Sequence, residues 1–169
     1  AFSVAGSRLA YRFHAMSAHP DIVDVAVVSP TPGVVQLYPL VEDGLPGNAV
    51  LAAVLSACAG EKVRPLTDQV FAFSPETSEY VISASLTLYA SADATTTLAR
   101  AQAAAETFAA ERQQALGKDI VPSQIIAALS VDGVYQVALS EPAATLVLPE
   151  QGWAHCVNIE LSLAGAANG

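Results

Sequence analysis

The side chains best suited to chemistry in this chain are three histidines and two cysteines, spread widely along the sequence. The histidines are His14, His19 and His155, and the cysteines are Cys58 and Cys156. Hydrolysis by a Ser/His/Asp set needs a base held beside its nucleophile, and the chain has no G-x-S-x-G sequence. We interpret the histidines as partly buried structural residues and the cysteines as buried thiols of a reduced compartment.

The adjacent pair His155-Cys156 is the closest approach to a Cys/His arrangement in the sequence. It lies at the start of a segment that we predict to be a strand. Because neighbouring side chains of a strand point to opposite faces, the two residues cannot easily act on each other. The pair therefore does not predict a nucleophile with its base.

The sequence also offers little for a metal ion or a bound phosphate. Glu42-Asp43-Gly44 places two acids before a glycine but lacks the alternating oxygen ligands of a calcium loop. The chain has no H-E-x-x-H, C-x-x-C or Walker A sequence. We therefore predict no catalytic residue, no metal site and no cofactor.

One polar segment stands out, Arg64-Pro65-Leu66-Thr67-Asp68. Arg64 and Asp68 bracket a short turn and could pair with each other. An active site is one interpretation. We favour a structural turn, in which Asp68 accepts backbone N–H groups and Arg64 ties the turn to a neighbouring segment.

Composition narrows the class of protein further. Hydrophobic residues make up 53% of the 169 residues and charged residues 14%, which excludes a disordered chain. The net charge is -9, and a nucleic-acid binder would need clustered cations. We predict no nucleic-acid partner, because the basic residues are scattered; they are Arg8, Arg12, Lys62, Arg64, Arg100, Arg112 and Lys118.

The apolar runs and the start of the chain lead to two further predictions. No apolar run reaches the roughly 18 residues needed to span a membrane, so we predict no membrane partner. The chain opens without Met, inside what reads as the approach to a helix. We expect a fragment that lacks an upstream region.

The first half predicts the order α-β-β-α-β. Ser7 is placed to cap a helix to about Ser17, with Leu9, Phe13 and Met16 on its apolar face. Two strands should follow as a hairpin. Pro39 puts the second of them at a sheet edge or marks a kink.

The remaining elements of this half are shorter. Asn48 is placed to cap a helix to about Ala59, which Gly60 ends. A short strand is predicted at 70–73.

The second half opens with the clearest strand pattern, 80–89, in which apolar and small polar residues alternate. Asp93 should cap a long helix to Leu116, and Pro122 should open another. Strands are predicted at 134–139 and 157–163, and the tail from Ala164 should be frayed.

These patterns predict an α+β fold with two small subdomains. Each subdomain should be a short, mostly antiparallel sheet covered by one or two helices. We expect the first, with the N-terminal helix, to span residues 1–75 and the second to span 76–169.

Several stretches together resemble the baseplate J family of contractile-tailed phages, including Mu-like phages. They begin with an AGS-x-x-x-YRFHA-type helix and a V-x-D-V-x-V-x-S-P-x-P-G-x-V hairpin, and continue with an RPLTD turn and a late G-V-x-x-V…P element. In this chain they are Ala5–Ala18, Val23–Val35, Arg64–Asp68 and Gly133–Pro142. The order and spacing correspond to the C-terminal part of that family.

The resemblance implies a structural wedge subunit of a phage or prophage tail baseplate, not an enzyme. It implies other baseplate wedge and hub proteins as partners, and self-association around the tail tube. It also implies a location in the virion tail baseplate after assembly in the bacterial cytoplasm. Related contractile injection particles fall within the same expectation.

Polar residues beside apolar faces give the predicted interface, which comprises Arg8, Arg12, Arg64 and Asp68. The alternative function is a small-molecule or peptide-binding α+β domain, with its ligand between helix and sheet. An enzyme is a third, more distant interpretation. It would require His14 or His155 to face a cleft beside a carboxylate.

Overall fold

A computed structural model describes residues 4–60, 64–65 and 67–169, with side chains from residue 7 onward. The described residues form four helices and two three-stranded sheets, which confirms the predicted α+β class. In chain order the elements are α1 (Val4–Met16), β1 (Ile22–Val28), β2 (Val34–Val41), α2 (Asn48–Cys58), β3 (Gln69–Ala72), β4 (Glu76–Tyr89), α3 (Ala94–Gln113), α4 (Pro122–Leu129), β5 (Val134–Glu141) and β6 (Gly152–Ala167).

The chain divides into two compact units, each built from more than one stretch of sequence. The first comprises Ala1–Thr77, Gln114–Gly117 and Leu148–Trp153. The second comprises Ser78–Gln113, Lys118–Val147 and Ala154–Gly169. The simple division at residues 1–75 and 76–169 stays a prediction.

The first unit contains the sheet β1-β2-β3. β1 and β2 form the predicted antiparallel hairpin, and β3 adds to β2 in parallel. β2 is therefore the central strand, so the edge position predicted from Pro39 is wrong. The missing N–H of Pro39 is tolerated because β3 pairs with β2 only from Val34 to Leu37.

The helix α1 packs on this sheet through a different face from the one predicted. Tyr11 and Ala15 are buried, whereas Leu9 and Phe13 are 69% and 67% exposed. The apolar stripe assigned to Leu9 and Phe13 is therefore wrong. Tyr11 and Ala15 also have helical i, i+4 spacing, and the small Ala15 lets the helix approach the sheet closely. The helix begins at Val4, so Ser7 lies inside it and is not its cap.

The helix α2 completes the core of the first unit. It buries Val54 and Cys58, one turn apart, against residues of α1, β1 and β2. Its N-cap is Gly47, with no side-chain cap bond, so the capping role predicted for Asn48 is wrong. The buried members of this core are Tyr11, Ala15, Ile22, Val25, Val27, Val35, Leu37, Val41, Val54 and Cys58.

The second unit contains the sheet β5-β4-β6, with β4 in the centre. The alternation predicted for β4 is confirmed, because every second residue from Tyr80 to Leu88 is buried. The residues between them face the other side of the sheet, where the hydroxyl of Ser85 lies 3.1 Å from the hydroxyl of Ser162 on β6. One face of β4 is therefore apolar core and the other is small and polar.

The helices of the second unit begin where the sequence predicts. Asp93 caps α3, since its carboxylate accepts the Thr96 N–H at 2.9 Å, and Pro122 is the first residue of α4. The helix α3 ends earlier than predicted, at Gln113. The prediction that the tail from Ala164 is frayed is also wrong. β6 runs to Ala167, whose carbonyl accepts the Ala90 N–H at 2.7 Å.

Candidate functional site

Two predicted interface residues of α1 form ion pairs within the first unit. The Arg12 guanidinium lies 2.9 Å from the Asp24 carboxylate, and the Arg8 guanidinium lies 3.3 Å from the Glu150 carboxylate. Both arginine side chains are about half exposed. Exposed ion pairs of this kind contribute only about 0.2–1 kcal/mol, so these charges are not explained by stability alone.

Asp24 has a second role. Its carboxylate also accepts the backbone N–H of Leu116 at 2.8 Å, and its side chain is 18% exposed. The same carboxylate therefore joins α1, β1 and the segment Gln114–Gly117. Sequence analysis did not single out Asp24, although an acid inside an apolar strand needs a partner and is itself a signal.

In the turn at Arg64–Asp68, Arg64 ties the turn to a neighbouring segment as predicted, whereas the Asp68 carboxylate accepts a hydroxyl instead of backbone N–H groups. Arg64 donates from Nη1 to the Asp68 carbonyl at 2.9 Å and from Nε to the Ala59 carbonyl at 3.1 Å. The Asp68 carboxylate accepts the Tyr11 hydroxyl at 2.8 Å. Leu66 lies outside the described residues. The turn is thus tied to α2 through Arg64 and to α1 through Asp68.

Tyr11 and Cys58 lie beneath this turn and are both buried. Burial, with the hydrogen bond to Asp68 and its charge, raises the pKa of Tyr11 far above its usual range. Burial also raises the pKa of the Cys58 thiol to about 11, and this thiol donates to the Tyr11 carbonyl at 3.6 Å. Cys58 is therefore a buried, unreactive thiol, as predicted. Cys156 is only half-buried.

The three histidines lie in separate parts of the fold. The His14 ring meets the edge of Phe13 at a centroid distance of 5.3 Å, and Nδ1 of His19 accepts the Asp21 N–H at 3.1 Å. His155 is half-buried on β6. Within the described ranges, no three His, Cys, Asp or Glu residues are grouped to hold a metal ion. No described helix is long and apolar enough to cross a membrane.

Apolar side chains that a monomer would normally bury lie on the surface of the first unit. Leu9 and Phe13 project one turn apart from the outer face of α1. On β3, Phe71 and Phe73 stack at a centroid distance of 5.9 Å and an interplanar angle of 7°, and both are 41% exposed.

Two cavities of the first unit border α1. One, of about 370 Å³, is lined by both arginines together with their partners Asp24 and Glu150. The other, of about 250 Å³, is lined by Tyr11 and Asp68. Small-molecule sites typically occupy about 300–1,000 Å³ and are mostly apolar. Neither the charged cavity nor the smaller one favours the small-molecule alternative.

The described residues form two compact α+β units. Two family profiles match the chain. They are the baseplate J-like central domain over residues 3–74 and the baseplate J-like protein C-terminal domain over residues 80–162. The chain belongs to the baseplate J-like family.

A relative agrees with that assignment, and a solved structure has a similar fold. Baseplate protein J of Escherichia phage P2 is 37% identical over 166 residues, which cover 97% of this chain and 55% of the relative. The chain thus spans about half the length of that relative. A chain of the cryo-EM structure of the anti-feeding prophage baseplate has a similar fold, with a TM-score of 0.61 and 15% identity, over 86% of this chain and 36% of that chain.

Proposed function

We propose that this chain is a structural component of the baseplate of a contractile phage tail or a related injection particle, and that it is not an enzyme. Support comes from the two baseplate J-like domains, which together cover almost the whole chain. The similarity to Baseplate protein J of phage P2 supports the same function. Its location would then be the tail baseplate of a particle assembled in the bacterial cytoplasm.

The partners that we propose are other baseplate wedge and hub proteins and further copies of this chain, with no nucleic-acid or membrane partner. We further propose that residues 1–75 and 76–169 act as separate building blocks. Each would present its own surface to neighbours. The net charge of -9 supports partners with basic surfaces, because complementary charge steers association.

The outer face of α1 is the proposed contact surface, and the exposure of Leu9 and Phe13 is the observation that carries it. Arg8 and Arg12 flank these side chains, and Asp68 lies at the neighbouring turn that Arg64 holds. An apolar pair with a polar rim is the usual anatomy of a protein interface. In this proposal the rim consists of the predicted interface residues Arg8, Arg12, Arg64 and Asp68.

The test is a double substitution, Leu9→Ser with Phe13→Ser, in the full-length protein expressed with its tail genes. We expect the purified variant to keep its thermal stability, since neither side chain is in the core. Complete baseplates counted by electron microscopy should fall at least tenfold, because interface anchors of this type contribute about 2 kcal/mol or more each. Disruption of the gene should abolish baseplates altogether.

Val147→Ser is the matched control, because Val147 is 71% exposed and belongs to the second unit. It should leave the number of particles unchanged. Wild-type numbers of baseplates from the double variant would refute the contact surface. Normal particles after gene disruption would refute the baseplate function itself.

A further inference from the structure

The smaller cavity of the first unit is lined by a carboxylate, three hydroxyl groups and a guanidinium. It lies between α1 and the turn that joins β1 to β2, with a volume of about 250 Å³. Its lining residues are Ser7, Arg8, Tyr11, Val27, Ser29, Pro32, Gly33, Val35 and Asp68. Asp68 supplies the carboxylate among these lining residues.

Two hydroxyl groups of the lining already donate to other groups. The Tyr11 hydroxyl donates to Oδ2 of Asp68 at 2.8 Å, and the Ser29 hydroxyl donates to the Val34 carbonyl at 2.7 Å. Their oxygens therefore remain available as acceptors, beside a carboxylate with about four acceptor positions. Arg8, the cation of the lining, is paired with Glu150.

The shape of the cavity suits a single side chain. At about 250 Å³ it is smaller than the roughly 300 Å³ at which small-molecule sites begin. Val27, Pro32 and Val35 supply apolar wall for an alkyl stem, and Asp68 supplies the charge for a cationic end.

We propose that this cavity receives a lysine side chain from a neighbouring baseplate protein. The ammonium group would be bound by the oxygens of Asp68, Tyr11 and Ser29, which come from three different segments. Acceptors arranged in this way suit the three rotatable donors of an ammonium group better than the planar fork of arginine. The proposal rests on the proposed function and names the chemistry of one partner contact.

The observed charges favour a cation over an anion as the occupant. An anion would meet the Asp68 carboxylate, and Arg8, the cation among these lining residues, already pairs with Glu150. The overall charge of -9 also opposes an anion. An apolar side chain would desolvate the half-buried Asp68 carboxylate without adding a hydrogen-bond partner for it.

Asp68→Asn is the first test, because it removes the charge while keeping an oxygen that can accept the Tyr11 bond. In full-length protein expressed with its tail genes, we expect complete baseplates to fall on the order of tenfold or more. Asp21→Asn is the matched control, since the Asp21 side chain belongs to the same unit and is 66% exposed. It should leave particle numbers unchanged.

Ser7→Lys is the second test and keeps the result decisive if Asp68→Asn weakens folding. Lysine is a good helix former, and at position 7 of α1 it would place this chain's own ammonium group in the cavity. The variant should melt no lower than wild type and still fail to assemble, whereas Ser7→Ala should assemble. A zero-length carbodiimide cross-link in assembled particles should join Asp68 to a lysine of another subunit.

The outcomes separate this inference from the broader function. If Asp68→Asn and Ser7→Lys both assemble at wild-type level while gene disruption abolishes baseplates, the lysine contact is wrong and the baseplate function stands. If Asp68 cross-links to no lysine while other exposed carboxylates do, the lysine contact is also wrong. If gene disruption leaves baseplates intact, the proposed function fails.

Discussion

The phenolic hydroxyl of Tyr11 donates a 2.8 Å hydrogen bond to the carboxylate of Asp68, which connects α1 to the turn that leads into β3. Tyr11 is 2% exposed, so its hydroxyl is removed from bulk water and needs this acceptor. The same turn is held from the other side by Arg64. The pair therefore fixes the position of a carboxylate that lines the smaller cavity of the first unit.

Tyr11→Phe should lower the free energy of unfolding of the purified protein by about 1.5–3 kcal/mol, because it removes a hydrogen bond to a charged group. Chemical denaturation at neutral pH measures this change. Tyr135→Phe is the control, because Tyr135 is 47% exposed and its loss should cost less than about 0.5 kcal/mol. Equal stability of Tyr11→Phe and wild type would show that the bond does not contribute.

Asp24→Ala should cost more than Arg12→Ala. The carboxylate serves both the Arg12 guanidinium and the Leu116 N–H, so its loss leaves a backbone donor unpaired and should cost about 2–3 kcal/mol. Arg12→Ala breaks only a half-exposed ion pair and should cost about 1 kcal/mol or less. Urea denaturation of the two variants tests this order, and the reverse order would contradict it.

Cys58 should make the protein less stable at alkaline pH. Burial raises its pKa from 9.0 to about 11, so the folded state holds a proton that the unfolded state releases first. This contribution is complete below pH 9 and is lost as the pH rises to about 11, amounting to about 2–3 kcal/mol.

Thermal unfolding of wild type and Cys58→Ala between pH 8 and pH 11 measures the contribution of Cys58. The cavity left by Cys58→Ala lowers stability at every pH. The comparison therefore uses the slope of stability against pH, not the absolute stability. The slope should be shallower in the variant. Parallel curves would mean that the thiol does not contribute.

Gly133→Ala should destabilise the second unit by about 3 kcal/mol or more, because it adds backbone strain to overpacking. Gly133 has φ +96°, and an added Cβ would lie 2.7 Å from Oγ1 of the buried Thr97. Gly47→Ala is the control, since nothing lies within 4 Å of its added Cβ. Chemical denaturation should therefore separate the two variants clearly, and similar midpoints would contradict the strain at Gly133.

Patterns that depend on near neighbours were readable from the sequence. The alternation along β4 predicts its buried face, and Asp93 and Pro122 predict where α3 and α4 begin. The β1–β2 hairpin follows from two strands around a Pro- and Gly-containing turn. In each case the deciding interaction is made within a few residues, so its signal lies in local spacing.

Local spacing did not predict which face of α1 is buried. Leu9 with Phe13 and Tyr11 with Ala15 both have i, i+4 spacing, and hydrophobicity alone favours the first pair. The sheet instead buries Tyr11, whose hydroxyl finds its acceptor in a residue 57 positions away. Sequence periodicity contains no information about a partner that is so far away in the chain. For the same reason, the contacts of Asp24 and Glu150 could not be predicted from the sequence.

The sequence by itself determined the α+β class, the hairpin and the baseplate J-like motifs, because these rest on local spacing and residue order. Only the tertiary structure decided which side of α1 faces outward and where Asp68 is held. Both depend on contacts between segments distant in the chain. Burial of one helix face leaves the other to solvent, and here the exposed face carries Leu9 and Phe13.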